Sequence, residues 1–388
     1  MQKKLLAAAL VLVIIGSVFA AWFVMPPLAD ETPKTDSCYV GVSFCGNTTK
    51  EAELLIDRVK DCTNLLILQS GPVSKNETAT NEICNYAVDA GLSIVVYFGD
   101  LDPRVLTAET SWRTTWIGSA KSRWGDKFLG VYYYEEPGGM WIDTDWRSYG
   151  FQSNEDLSYD EVANQFINSL SSDQGIKDLK NNGVPIFVSD YALHWFDFQA
   201  GYDVVLAQIG WNNSLAQDIA LARGAANLQG KEWGAIITWK YQSPPYLDSG
   251  QEIYAQMAAA YEAGAKYIAI FDYPSLDGNP YGVLLDEHFE ALEQFWTNTQ
   301  VTHKLAFNSV TAKAALILPK NYGWGMRNSQ DTIWGFWGPD EMSPQIWALS
   351  RHLLSEYQYA LDIVYEEPTF SFVDMYESVY YWNATIPN

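Results

Sequence analysis

Phe128-Leu129-Gly130-Val131-Tyr132-Tyr133-Tyr134-Glu135-Glu136-Pro137 is the stretch on which the reading of this chain turns. Its apolar and aromatic part has the composition of a strand covered on both faces, and it closes on a pair of carboxylates. It is the fourth of eight such β-like runs, which fall at residues 38–45, 65–69, 92–98, 128–134, 185–189, 204–209, 234–239 and 267–271. Helical patterns alternate with them at 49–61, 80–90, 111–124, 159–181, 215–229, 250–263 and 286–296. In the first helix Leu54, Leu55, Ile56 and Val59 recur at helical spacing, and Gly91 is a stop for the second. This order predicts an α/β protein whose residues 37–297 form a (β/α)8 TIM barrel, with chemistry at the carboxyl ends of the strands.

The rest of the chain bounds the protein. With 388 residues there is room for one barrel and a smaller appendage. A composition that is 48% hydrophobic, 15% aromatic and 18% charged is that of a folded chain with a large core. The net charge of −23 repels phosphate backbones, so nucleic acid is not an expected partner.

Lys3 and Lys4 precede an uncharged apolar stretch from Leu5 to Met25, and Pro26-Pro27 end any helix. Residues 1–27 therefore read as a signal anchor long enough for a bilayer core, followed by a polar tether at 28–36. Val18-Phe19-Ala20 also offers small-residue positions for cleavage, in which case the protein is secreted. Either way the bulk lies outside the cell.

Four cysteines in the first two β/α units suggest two disulfides there. The barrel places Cys38 and Cys62 at its bottom and Cys45 and Cys84 near its top, so the expected pairs are Cys38 with Cys62 and Cys45 with Cys84. A zinc site would need short Cys or His spacings that are absent, so no metal and no cofactor are expected. Asn47, Asn76, Asn212 and Asn383 begin tripeptides of the N-glycosylation form.

After a linker at 298–313 the pattern restarts, with strand patterns at 314–318, 361–365 and 379–382 and a helix at 343–357. This is part of a doubly wound α/β layer, small enough to lean on the barrel. Leu318-Pro319-Lys320-Asn321-Tyr322-Gly323-Trp324-Gly325 and Leu361-Asp362-Ile363-Val364-Tyr365 resemble segments of the flavodoxin-like domain that follows the barrel in β-galactosidase-type glycoside hydrolases. That resemblance, spanning 314–388 as a partial flavodoxin-like domain, implies homo-oligomerisation through the segment rather than catalysis. Trp324, Trp334 and Trp337 read as interface packing.

Tyr134-Glu135-Glu136-Pro137 resembles the Asn-Glu-Pro ending of strand 4 in the large barrel clan of retaining glycoside hydrolases. The resemblance implies that Glu136 is the general acid/base and puts Glu135 where that clan has Asn. Two adjacent carboxylates facing one pocket raise each other's proton affinity, a way to keep one protonated near neutrality. The clan's nucleophilic Glu at the end of strand 7 has no counterpart, because strand 7 here ends Thr238-Trp239-Lys240-Tyr241. Asp190 after strand 5 and Asp272 after strand 8 are the replacement candidates.

Sugar recognition needs flat apolar faces beside hydrogen-bonding groups. Tyr134, Trp141, Tyr191, Trp195, Trp211, Trp239 and Tyr241 are the rim aromatics, and Gln208 and Lys240 are placed for hydroxyls. The expected function is a membrane-tethered extracellular glycoside hydrolase acting on a polysaccharide or glycan. The alternative is a non-catalytic glycan-binding or structural surface protein on the same barrel.

Overall fold

All eight expected strands form and pair in parallel, each with the next and β8 with β1, closing a barrel. The computed structural model describes residues 38–146, 157–211, 213–274, 276 and 278–385. In chain order the first half runs β1 Tyr39–Phe44, α1 Thr49–Val59, β2 Leu65–Leu68, α2 Glu77–Asp89, β3 Ser93–Phe98, α3 Trp112–Trp124 and β4 Phe128–Tyr133. Three helices follow β4: α4 Pro137–Asp143, α5 Tyr159–Ser171 and α6 Gln174–Asn181. The second half is β5 Ile186–Asp190, α7 His194–Ala200, β6 Val204–Ile209, α8 Leu215–Gln229, β7 Glu232–Ile237, α9 Gly250–Glu262, β8 Tyr267–Ile270 and α10 Asp286–Trp296.

Local chemistry fixes the helix starts. Thr48 with Glu51, and Ser158 with Glu161, form reciprocal capping boxes at α1 and α5. Asn76 caps α2 by accepting from Ala79 N, so that helix begins three residues before the expected Thr80. The single helix expected over 159–181 is broken in two because Asp173 caps a new helix, accepting from Ile176 N at 3.1 Å. The same carboxylate takes the hydroxyls of Tyr133 and Tyr134 at 2.8 and 3.1 Å, so β4 is tied to the break.

The four cysteines are free thiols, and neither expected disulfide forms. Cys38 Sγ donates to Ala265 O and Cys62 Sγ to Val59 O, both at 3.4 Å, so each is satisfied by a nearby carbonyl. Cys45 Sγ lies 3.8 Å from Ser43 Oγ, and Cys84 is buried on the apolar face of α2. Burial pushes all four thiols upward, Cys62 to about 11, which suppresses the thiolate needed for exchange. Asn47, Asn76 and Asn383 are exposed, whereas Asn212 and the expected anchor and tether at 1–36 lie outside the described residues. Among the described residues no helix is long and apolar enough to cross a membrane.

The C-terminal segment folds as β9 Ala314–Leu318, α11 Ser343–Tyr357, β10 Leu361–Tyr365, α12 Phe372–Met375 and β11 Ser378–Tyr381. Its three strands make a separate parallel sheet in the order β10-β9-β11. The sheet docks on α8 through Arg223 and Asp362, a pair 2% and 1% exposed with Nε to Oδ1 at 2.8 Å. Beside it Gly224 has no room for a side chain, since a Cβ would lie 2.7 Å from Val364 Cγ1. Trp334 seals the junction with ring centroids 4.7 Å from Phe196 and 5.9 Å from Phe166. Trp337 also crosses the junction, 5.1 Å from the Tyr159 ring, whereas Trp324 packs within the segment on Tyr322 and Trp347.

Candidate active site

The upper layer of the barrel interior is polar where a purely structural core would be apolar. Ser43, Gln69, Tyr132, Ser189 and Gln208 are all buried at the carboxyl ends of β1, β2, β4, β5 and β6. A register shift between Ile94 and Val95, opposite Phe128 and Gly130, marks a bulge in β4. Beyond it Tyr132 reaches Ser189 Oγ at 2.6 Å, whereas the neighbouring Tyr133 reaches Asp173 beneath α6. The alternation of a strand thus separates an inward tyrosine from an outward one.

The chain then leaves β4 through strained backbone. Tyr134 and Glu136 both occupy the left-handed region, at φ 63 and 52, which non-glycine residues adopt at a cost. Glu136 N donates to Ser189 O at 3.0 Å, and Pro137 opens α4. The outcome is that Glu135 and Glu136 border one cavity of about 240 Å³, together with Gln69, Gln208, Trp211 and Trp239. Thr238, Phe271 and Tyr273 complete its wall.

Each carboxylate has its own amide donor. Gln69 Nε2 donates to Glu135 Oε1 at 2.9 Å, and Gln208 Nε2 donates to Glu136 Oε1 at 2.7 Å and to Ser189 Oγ at 3.0 Å. Glu135 is reached by solvent but lies in a concave site that hydrates its charge poorly. That desolvation, with the charge of Glu136, pushes it up to about 7 against the opposing pull of Gln69. The Oε1 atoms of Gln69 and Gln208 and Nε1 of Trp239 are buried with no hydrogen-bond partner among the described residues, leaving capacity for a ligand.

The two aspartates from the strand ends are placed differently. Asp190 is fully buried, and its carboxylate accepts from Gly138 N at 2.6 Å, Gly139 N at 2.8 Å, Tyr191 N at 2.8 Å and Ala192 N at 3.2 Å. It ties the start of α4 to the end of β5. Asp197 on α7 lies against it, and no N–H or O–H donor among the described residues reaches either Asp197 oxygen. Burial pushes both upward, but only Asp190 has donors to pull it back, so the proton of the pair stays on Asp197. Asp272 is 3% exposed and accepts from Val283 N at 3.1 Å, anchoring the loop after β8. Neither Asp190 nor Asp272 borders the cavity.

Of the expected aromatics, Trp211 and Trp239 face the cavity with Gln208, Tyr191 borders a larger adjoining cavity, and Tyr134 and Trp141 border a third beside Glu135. Trp195 is buried under the C-terminal sheet against Tyr365 and Phe370. Lys240 is paired with Asp248 at 3.1 Å, and Tyr241 is 43% exposed away from these cavities. The site also includes residues not foreseen from sequence: Gln69, Ser189, Thr238, Tyr273 and, from the C-terminal segment, Arg327 and Asn328. A polar residue at the end of an apolar strand was the available signal for Gln69 and Ser189. Among the described residues no three His, Cys, Asp or Glu side chains converge as metal ligands.

Fold and site define the chain as a TIM-barrel protein with an acid pair in its mouth. No protein-family model matches it, and no curated protein is similar to it in sequence. Solved structures share the architecture. A GH5 subfamily 18 protein from Streptomyces cattleya, solved with GlcNAc, superposes with a TM-score of 0.54 over 89% of this chain and 98% of its own, at 10% identity. A variant of the GH5 subfamily 18 protein from Bifidobacterium longum subsp. longum, in complex with Manβ1-4GlcNAc, gives 0.53 over 89% and 96% at 8% identity. The α-L-fucosidase isoenzyme 2 from Paenibacillus thiaminolyticus gives 0.53 over 88% and 59% at 10% identity. At these identities the common property is the fold.

Proposed function

We propose that this protein is a glycoside hydrolase whose acid pair at the end of β4 cleaves a glycan. The observation that carries the reading is that Glu135 and Glu136 border one aromatic-walled cavity, in which burial and the charge of Glu136 raise the proton affinity of Glu135. Glu135, held up to about 7, is the proton donor to the leaving oxygen. Glu136, oriented by Gln208, is the carboxylate that takes the proton from an attacking water or itself attacks the anomeric carbon. This division differs from the resemblance, which gives the acid role to Glu136, and it follows from the raised proton affinity of Glu135. Trp211, Trp239 and Tyr273 supply faces for the C–H patches of the sugar, and the unpartnered amide oxygens supply acceptors for its hydroxyls.

The solved relatives in fold with GlcNAc and Manβ1-4GlcNAc add support for a carbohydrate ligand. Placement outside a membrane, tethered by residues 1–27, is part of the proposal and rests on Lys3, Lys4 and the apolar stretch after them. A second reading, glycan binding without turnover, is favoured by one observation: Thr238 and Trp239 stand where a carboxylate from β7 would be. The deciding experiment is release of reducing ends from a glycan panel by the wild-type protein, Glu135→Gln and Glu136→Gln. Turnover lost in both variants supports the hydrolase, and sugar binding without turnover in all three supports the second reading.

A further inference from the structure

The larger cavity next to the acid pair, about 610 Å³, is walled on one side by the C-terminal segment. It shares Glu136 and Trp211 with the smaller one, so the two adjoin at the acid pair. Arg327 and Asn328 reach it from the loop between β9 and α11. Arg327 is built in rather than dangling. Its Nε and Nη2 hold Asp331 at 2.9 and 2.7 Å, its Nη1 holds Asp143 of α4 at 2.7 Å, and its guanidinium lies 5.6 Å from the centre of the Tyr191 ring. Tyr191 in turn donates its hydroxyl to Asp143 at 2.6 Å. A segment whose family resemblance points to oligomerisation thus fixes a wall of the cleft.

We propose that Arg327 and Asn328 complete a second sugar station beside Glu136, for an uncharged monosaccharide unit of an oligosaccharide. The inference rests on the carbohydrate reading above and goes beyond it by assigning a site and a ligand charge. Trp211 is the platform, with 42% of its surface exposed and its backbone held left-handed at φ 49. Asn213, Asn328 and Asp143 are the hydroxyl partners around it. Charge sets the class of sugar. Arg327 is the one cation bordering this cavity among the described residues, and its nitrogens are already engaged by two carboxylates. With Glu136 and Asp143 both on the wall, a uronate or sulfated unit meets net repulsion, and a neutral unit does not.

The test is isothermal titration of the full chain carrying Glu135→Gln, which lies outside this second station, with mono- to hexasaccharide ladders of cello-, manno- and chito-oligosaccharides. Oligogalacturonides serve as the charged probe. Longer neutral sugars are expected to bind more tightly than the monosaccharide. Asn328→Ala and Arg327→Ala are each expected to remove about tenfold of that gain, the value of about one hydrogen bond, and to leave monosaccharide affinity unchanged. Asn328→Ala guards against misfolding of the Arg327 variant, because Asn328 is exposed. Ladder binding in which neither variant alters the length dependence overturns the inference alone, as does tighter binding of the oligogalacturonides. No binding of any sugar overturns both the inference and the carbohydrate reading.

Discussion

Replacing Arg223 by Met tests how the C-terminal sheet is held and what that hold does for the cleft. Arg223 gives Nε to Asp362 at 2.8 Å, Nη1 to Val310 O at 3.1 Å and Nη2 to Leu361 O at 2.9 Å. Asp362 then keeps only Tyr376 OH at 3.0 Å while it stays buried. Removing one member of such a pair costs roughly 3–5 kcal/mol, because the other charge is left without compensation. The loss must depend on pH. Burial already pushes Asp362 up against the pull of Arg223 and Tyr376, and without Arg223 it rises further. A carboxyl with a raised folded-state pKa contributes stability that is present below the unfolded value of about 4 and lost as pH rises through the folded one. Urea unfolding of wild type and Arg223→Met at about pH 5 and 8 should show the larger difference at the higher pH. Arg223→Met with Asp362→Leu should recover most of it, as paired replacement of a buried ion pair is commonly near neutral. A loss below about 1 kcal/mol, or one independent of pH, refutes the reasoning.

Three further outcomes follow from the same geometry. Asp197→Asn should flatten the fall in thermal stability as pH rises, since the neutral amide replaces a buried acid that must keep its proton. Gly139→Ala should reduce activity by at least tenfold and displace Tyr191, because a Cβ there would lie 2.1 Å from Tyr191 Cζ; circular dichroism melting separates local from global loss. All four thiols should alkylate in denaturant without reductant, measured by mass, and two protected pairs would restore the disulfides.

The barrel was legible because its strands are continuous apolar runs bounded by turn residues, a pattern the closed parallel sheet requires. Strand β7 begins earlier than expected, at Glu232, because a charged residue at a strand start is invisible to an apolar pattern. Helices α4 and α7 are only seven residues each, too short for periodicity to register. The acid pair was legible from its place before Pro137. Cysteine spacing says nothing of which way a side chain turns, so element positions could not show that the four thiols stay free. The roles of Asp190 and Asp272 depend on loops folding back to donate backbone N–H groups, which composition does not encode. Arg327 lies some 190 residues beyond Glu136 in a segment with its own strand pattern, and the docking of that segment on the barrel, through Asp362 with Arg223 and Trp334 with Phe196, brings it to the cleft.

The measurement that bears most directly on the central claim is the pH dependence of kcat on a cleaved glycan between about pH 5 and 9. If Glu135 is the proton donor, kcat falls as pH rises through about 7. In Gln69→Leu the fall moves to higher pH, because the donor that favours the charged form is gone, and Glu135→Gln removes it together with turnover. A profile flat through that range, or one unchanged in the Gln69 variant, contradicts the account.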